Sequence, residues 1–258
     1  MRDALRAEWT KLLTLASTGW LLAGIVALTA GVSAAVIQAS SYQPLGGYQD
    51  TTKLSLTGID LGQAVVAVLA VLVVSNEYST QMMVVTLTAM PRRLSMLAAK
   101  AANVTGLVLV GGAFAVGGSL LIGRAVLPGN GFTANHGYPL LSLAHGATLR
   151  AAVGSVLYLA LIALLSLGIA TAVRDTAAAI GTVLGLLYLF PLLAQTVTNP
   201  TWHRHLEQIG PMTAGMAIQA TTNLRSLPIS PWAGLGVLGA WAAGAVVGGS
   251  LLLRLRDA

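Results

Sequence analysis

Six long stretches of this chain have no charged side chain at their centre, and this feature constrains the fold more than any other. A helix of about twenty apolar residues, rising about 1.5 Å per residue, crosses the roughly 30 Å hydrocarbon core of a bilayer. Backbone groups have no partner in lipid, so such stretches form helices rather than strands. The sequence therefore predicts one all-α polytopic membrane domain over residues 1–258, with spans at 17–39, 59–75, 101–123, 151–173, 176–198 and 231–253.

The composition agrees with a membrane location. Hydrophobic residues make up 55% of the 258 residues and charged residues only 9%, whereas a soluble domain carries about 25% charged residues. We interpret the net charge of +6 as a topological signal, and nucleic-acid binding is not expected without a soluble basic domain. The chain has no cysteine, which excludes disulfides, thiol catalysis and cysteine-bound metals.

The distribution of basic residues predicts the orientation of the chain. Six spans place both termini on one side, and that side holds nine of the 14 lysines and arginines. Basic loops favour the cytoplasm, so both termini are predicted to be cytoplasmic. The nine are Arg2, Arg6, Lys11, Arg92, Arg93, Lys100, Arg174, Arg254 and Arg256, and the other five are Lys53, Arg124, Arg150, Arg204 and Arg225.

The N-terminus has the pattern of an amphipathic helix. Leu5, Trp9 and Leu12 fall at positions i, i+4 and i+7, and charged residues occupy the other faces. Such a helix lies in the membrane interface before the first span. Two interpretations stay open: an ordinary interfacial anchor, or a helix that packs on the cytoplasmic segment described next.

About twenty residues separate the second and third spans, far more than a turn needs. We expect a short cytoplasmic helix between Ser79 and Met90, with Ser79 or Thr80 as its N-cap. Pro91 disfavours helical geometry at Met90 and therefore ends the helix.

One face of this short helix is apolar. Met83, Leu87 and Met90 recur at i, i+4 and i+7, and a cytoplasmic helix has no lipid in which to bury them. This pattern predicts docking into a groove of another protein. Glu77, just before the helix, either pairs with an N-terminal arginine or Lys11, or remains a solvated charge at the end of a span.

Catalytic groups are scarce. No charged residue or histidine lies at the centre of a span, which disfavours a proton-coupled carrier with a buried carboxylate. Asp60 starts the second span, where a helix N-terminus favours an anion. A helix would bring His203 and Glu207 together but turn His205 away, so we favour a surface pair over a metal site.

No nucleotide-binding motif is present. Nothing matches G-x-x-x-x-G-K-[ST], and the glycine-rich Gly111–Gly118 stretch lies inside a span without a lysine. If ATP drives this protein, the ATPase is another chain.

Several short motifs follow one another along the whole chain in an order that identifies a family. They are Glu8-Trp9-Thr10-Lys11-Leu12, Ser17-Thr18-x-Trp20, Asn76-Glu77-Tyr78-Ser79-Thr80, Thr86-Leu87-x-Ala89-x-Pro91-Arg92-Arg93, Ser230-Pro231-Trp232-Ala233-Gly234 and Arg254-Leu255-Arg256-Asp257-Ala258. Together they resemble bacterial type-2 ABC transporter permeases, and most closely the actinobacterial ones. One departure is Gln81-Met82-Met83-Val84-Val85, where relatives usually carry a glycine and a basic residue.

The resemblance implies a transport subunit in the bacterial plasma membrane that is not itself an enzyme. It implies an N-terminal elbow helix, a coupling helix seated in an ATPase groove, and an outer segment, Pro200–Pro231, that partly re-enters the membrane. Two permease chains, expected as a homodimer, and two ATPase chains form the unit; ATP and Mg²⁺ are bound by the ATPase, and this chain holds no cofactor or metal. The residues expected to couple to the ATPase are Glu77, Ser79, Thr80, Met83, Leu87, Met90, Arg92 and Arg93.

The same resemblance places the second and fifth spans at the dimer axis. We expect Pro191 to bend the fifth span, Gln195 and Thr196 to face the pathway, and Gln63 to lie opposite. The alternative is that these polar groups bond to neighbouring helices. The small-residue patterns Gly181-x-x-x-Gly185 and Ala240-x-x-x-Gly244-x-x-x-Gly248 suit packing either within one protomer or across a dimer.

Two other classes remain open. The first is a stand-alone six-helix membrane protein, such as an immunity protein or a lipid-modifying enzyme, and the second is a secondary transporter. An enzyme needs polar groups converging at one membrane depth, which the sequence does not reveal. An apolar pathway suits an amphiphilic or apolar cargo, but the sequence does not identify the substrate, and export is an inference from the resemblance alone.

Overall fold

The computed structural model describes residues 16–44, 47–79 and 93–256. Five of the six predicted apolar stretches fall within its helices, and the stretch 176–198 extends two residues past the end of its helix at Thr196. The described part of the chain contains no strand. Short 3-10 turns occur in the connections between the helices. The helices are α1 (Ala16–Ala39), α2 (Thr51–Ser55), α3 (Ile59–Ser79), α4 (Arg93–Val126), α5 (Gly146–Val173), α6 (Thr176–Thr196), α7 (Pro200–Ile209), α8 (Pro211–Met216) and α9 (Pro231–Arg256).

Five of these helices, α1, α4, α5, α6 and α9, are long and apolar enough to cross a membrane. The apolar part of α3, Ile59–Ser75, is shorter. The all-helical, multi-pass architecture predicted from the sequence is therefore confirmed, whereas the count of six spans stays a prediction. The predicted elbow helix falls on residues 1–15, outside the described residues.

Helix α5 forms the centre of the bundle. Of its most apolar stretch 61% is buried, against 22% for α1, α6 and α9. It packs against α3, α4, α6 and α9, and its side chains Tyr158, Leu159 and Ile162 are fully buried. Helices α3, α4, α6 and α9 therefore each bury one face on α5, whereas α1 packs on α3 and α4 instead.

The contact between α5 and α9 depends on two glycines. A Cβ added at Gly249 would lie 2.6 Å from the carbonyl oxygen of Gly168, and one at Gly168 would lie 2.5 Å from the amide nitrogen of Val246. By contrast, a Cβ at Gly244 or Gly248 would meet no described atom within 4 Å. The residues of α9 that meet Gly168 therefore include Ala245 and Gly249, each one position after the Gly244 and Gly248 of the sequence pattern.

A second close crossing joins α1 to the start of α3. The amide of Gly58 donates to Ser33 Oγ at 3.1 Å, and a side chain at Gly62 would collide with Thr29. The pairs Gly58/Gly62 and Thr29/Ser33 are small-xxx-small patterns that face each other, which lets the two backbones approach closely.

The two ends of the bundle differ. The connections 40–58, 127–145 and 197–230 lie at one end, which we call the long-loop end. At the other, short-turn end, α5 passes into α6 through Arg174 and Asp175 alone. Arg174 has a φ of 62°, which is uncommon for a residue other than glycine. Asp175 caps α6 by accepting from the Ala178 amide at 2.7 Å.

Replacing Gly168 with alanine tests the α5–α9 contact. We expect Gly168→Ala to lower the free energy of unfolding in micelles by about 1–3 kcal/mol, because its Cβ would press against the α9 backbone. Gly185→Ala on α6 is the matched control, since its Cβ would meet no described atom within 4 Å. Equal stability of the two variants in a detergent-unfolding titration would contradict this packing.

Candidate functional site

The side chains of Gln63, Tyr158, Tyr188 and Met212 meet the backbone carbonyl of Asp60 inside the bundle, in a group that we call the Gln63 cluster. The Tyr158 hydroxyl donates to Gln63 Oε1. The Gln63 amide nitrogen donates to the Asp60 carbonyl and to Met212 Sδ, both at 3.1 Å. The Tyr188 hydroxyl donates to the Asp60 carbonyl at 2.5 Å. The cluster therefore links α3 to α5, α6 and α8.

The centre of the cluster, Gln63 and Tyr158, is closed to ligands. Gln63 and Tyr158 are both 0% exposed, and a buried amide or hydroxyl is costly unless it is hydrogen-bonded. Gly215 of α8 lies against the Tyr158 ring, where an added Cβ would sit 2.7 Å from the ring carbon Cε2. The geometry suits a structural junction rather than a substrate-binding site.

Asp50 forms a second polar junction, at the long-loop end. Its carboxylate accepts from the amide and hydroxyl of Thr221, at 2.5 and 2.6 Å, and from the amide of Thr222 at 3.1 Å. It also caps α2 through the Lys53 amide at 3.0 Å. One side chain thus fixes the connection after α8 to the connection before α3.

Arginines reinforce this end of the bundle. Arg150 on α5 donates to the Ala220 carbonyl at 2.5 Å, and Arg124 on α4 donates to the Leu141 carbonyl at 3.2 Å. Each arginine thus ties a long helix to a carbonyl of the connections. Arg150 Nε and the buried Gln219 Nε2 have no hydrogen-bond partner among the described residues, and a polar site of this kind is where ordered water is expected.

Aromatic rings close the connections before α2 and after α4. Tyr42 stacks on His136, with ring centroids 4.2 Å apart, and Tyr48 stacks on Tyr138 at 4.7 Å. Phe132 meets Tyr138 edge to face at 5.1 Å. Desolvation, then the neighbouring Tyr138 and Asp50, raise the pKa of the Tyr48 phenol above its usual value. These ring contacts therefore hold the described parts of the two connections together at the long-loop end.

Helices α7 and α8 form a hairpin between the last two long helices. Asn199 caps α7 by accepting from the Thr201 amide at 2.9 Å. The Trp241 indole donates to the Ile209 carbonyl at 2.9 Å. Trp241 lies ten residues into α9, about 15 Å below its start at 1.5 Å per residue. The chain then returns through α8, whose backbone at Ala214 packs against Gly234.

The two histidines of α7 lie on different faces, as the helical spacing predicted. His203 Nε2 is 3.4 Å from Glu207 Oε1, and the other ring nitrogen of His203 is 2.8 Å from the Ala194 carbonyl. The His205 ring instead lies 6.3 Å from the Trp202 ring. No group of three potential metal-ligating side chains occurs in the described ranges.

The predicted pathway residues occupy different environments. Gln63 is buried and bonded within the protomer, Pro191 lies half-buried inside the continuous helix α6, and Gln195 and Thr196 are exposed at its end. The structure therefore does not bring Gln63 together with the other three in one open cavity. Whether Gln195 and Thr196 face a pathway stays a prediction about an assembly of chains.

Most of the predicted coupling residues lie outside the described residues. Thr80, Met83, Leu87, Met90 and Arg92 fall in the segment 80–92. Glu77 and Ser79 belong to the last turn of α3, and Arg93 is the first residue of α4. The proposed docking segment is thus flanked directly by two long helices.

Neither the Gln63 cluster nor the Asp50 junction could be recognised readily from the sequence. The partners of Asp50 lie 171 and 172 residues later in the chain, and Gln63 and Tyr158 lie 95 residues apart. A single polar residue in an apolar helix was the only available hint for Gln63. Pairs of this kind have no local periodicity.

This architecture defines a multi-pass helical membrane protein whose helices are joined by buried polar contacts. No protein-family model matches the chain, and no curated protein sequence is significantly similar to it.

A double-mutant cycle tests the Gln63–Tyr158 hydrogen bond. Gln63→Leu and Tyr158→Phe each leave a buried partner unsatisfied, so each should cost about 1–3 kcal/mol. The coupling energy should be about 0.6–1.7 kcal/mol, the range found for hydrogen bonds between membrane helices. Gln195→Leu, at an exposed position, is the control and should change stability by less than about 0.5 kcal/mol. Strictly additive single effects would exclude a direct bond.

Removing the Asp50 carboxylate tests the second junction. We expect Asp50→Ala to speed amide exchange at Thr221 and Thr222 by about tenfold or more, since hydrogen bonds to a charged group are worth about 1.5–3 kcal/mol. Asp175→Ala is the matched control: it removes a cap at the opposite end and should speed exchange at Ala178 alone. Unchanged exchange at both threonines in the Asp50 variant would refute the junction.

Proposed function

We propose that this chain is the membrane subunit of an ATP-binding-cassette exporter, that it forms the translocation pathway, and that a separate ATPase binding ATP and Mg²⁺ drives it. The observation that carries the proposal is the α7–α8 hairpin, which descends along α9 to Trp241 and returns to Asp50. This geometry supports the segment Pro200–Pro231 as the re-entrant element that the sequence resemblance implied. The long-loop end would then face away from the cytoplasm.

The flanks of segment 80–92 support a coupling role for it. Helix α3 extends from the Gln63 cluster to Ser79, about 30 Å at 1.5 Å per residue, and leads directly into the segment. A force applied at the end of α3 would therefore reach α5 and α8 through the hydrogen bonds of the Gln63 cluster. This is the kind of contiguous contact that linkage between distant sites requires.

Two observations support a homodimer as the working form. Gly181 and Gly185 of α6 are exposed, and an added Cβ at either would meet no described atom within 4 Å. Gly248 of α9 is equally open to an added Cβ. These glycines therefore do not contact another helix within the described part of the protomer. Two-fold homodimers are the commonest closed assembly, and a six-helix chain alone encloses no pathway.

A membrane enzyme remains the main rival. The Gln63 cluster is a convergence of polar groups that the sequence analysis did not anticipate. However, its central side chains are fully buried and bonded to one another, so a substrate has no access to them. This arrangement favours a transport subunit over a lipid-modifying enzyme.

Substitutions in the docking segment test the proposal in a reconstituted complex with a candidate ATPase, to be sought among the genes adjacent to the one for this chain. Leu87→Asp should abolish co-purification of the ATPase, because it places a charge on the apolar stripe, while insertion into the membrane is retained. Glu77→Ala should retain binding but uncouple ATP hydrolysis from transport. Leu140→Asp is the control: it makes the same change at an exposed residue of the long-loop end.

The stoichiometry of the same complex tests the dimer. Its mass should correspond to two copies of this chain and two ATPases. A complex with one copy, or normal assembly and transport in both docking variants, would remove this mechanism.

A further inference from the structure

A lateral groove of about 650 Å³ runs between α6 and α9. Leu165 and Ile169 of α5 form its floor, and Ile209 of α7 closes it toward the long-loop end. Its walls are Leu186 of α6 and, on α9, Val237, Ala240, Trp241, Gly244 and Ala245. The groove extends along α9 from Val237 to Ala245, nine residues whose eight steps of 1.5 Å give about 12 Å. Its volume falls in the range of about 300–1,000 Å³ typical of small-molecule sites.

The lining excludes water as the occupant. Gln208 is the single polar side chain among the lining residues, and its Nε2 already donates to the Pro228 carbonyl at 2.7 Å. The Trp241 indole nitrogen is likewise engaged with Ile209. An ordered water needs two to four polar partners, and an empty groove forfeits dispersion contacts along its walls. The lining therefore suits hydrocarbon rather than water.

A positive charge stands one helical turn beyond the groove. Arg204 precedes Gln208 by four residues on α7 and so lies on the same face of that helix. It is exposed, and Trp202, 64% exposed, has the amphipathic character that places tryptophan at the membrane interface. The only carboxylate on α7, Glu207, lies close to His203.

We propose that the groove is a binding site for an anionic phospholipid, with one acyl chain along α9 and the headgroup phosphate at Arg204. The apolar lining accounts for the chain, and the guanidinium accounts for the phosphate through a charge-assisted hydrogen bond. The site does not depend on the ATPase, so it stands or falls separately from the transport role.

The test uses the full-length protein in nanodiscs containing phosphatidylglycerol with a photoactivatable group on one acyl chain. Cross-links should map to α5 and α9 peptides that line the groove. Ala240→Trp, which fills the groove, should reduce this cross-linking about tenfold, a change of about 1.4 kcal/mol. Ala243→Trp is the matched control, because Ala243 is exposed on α9 but does not line the groove. Gly244→Leu provides a second filling variant and should act as Ala240→Trp does.

The headgroup is tested by competition with unlabelled lipid. Arg204→Gln should reduce the preference for phosphatidylglycerol over phosphatidylcholine about fivefold, the effect of about 1 kcal/mol per basic residue near an anionic surface. Arg225→Gln, another exposed arginine of the long-loop end, should leave the preference unchanged.

Three outcomes would overturn the proposal. Wild-type cross-linking in both filling variants would show that the groove is not the site. Equal loss in Ala240→Trp and Ala243→Trp would indicate general lipid contact with the surface of α9. Efficient disulfide dimerisation of an Ala240→Cys variant in the membrane would show that a second copy of the chain occupies the groove.

Discussion

The Gln63 cluster joins four helices of the bundle, α3, α5, α6 and α8, and its central contact is the hydrogen bond between Gln63 and Tyr158. In an apolar bundle, non-directional packing leaves helices free to rotate and slide, because lipid tails are as apolar as leucine. A buried amide removes that freedom, since each of its atoms must keep a partner. Gln63 bonds to Tyr158 and Met212, and Asp60 next to it binds Tyr188. Four helices therefore share one register.

Asp50 extends the same constraint to the long-loop end. Its contacts with Thr221 and Thr222 close the path of the hairpin after α8, and Arg150 holds the preceding Ala220 carbonyl. The Gln63 cluster thus holds the start of α8 through Met212, and the Asp50 junction holds the chain that follows it. Helix α8 has only six residues. A helix this short has little stability of its own, and its position depends on these tertiary contacts.

The positions of the long helices could be predicted because hydrophobicity is a local signal that the membrane requires of every span. The ends of the helices were less predictable: α4 begins at Arg93 and keeps Lys100 at 2% exposure, although charge was expected to lie outside the span. The glycine of α9 that meets α5 is Gly249 and not Gly244 or Gly248, which the sequence pattern could not show because the rotation of a helix is set by the backbone that it meets, here Gly168. The Asp50 junction could not be predicted, since its partners are distant in the chain.

Helix α6 is joined to the rest of the bundle by few polar contacts. Its buried positions, Ala179, Val183, Leu187 and Ala194, form one face, whereas Gly181 lies on the opposite, exposed face. One polar contact, from Tyr188 to the first turn of α3, joins it to the Gln63 cluster, and the groove separates its middle from α9. Because α3, α5 and α8 are joined by buried hydrogen bonds and α6 mainly by apolar packing, moving α6 breaks the fewest directional contacts. In the proposed exporter, we therefore expect α3, α5 and α8 to move as one body, with α6 and the attached α7 shifting against it.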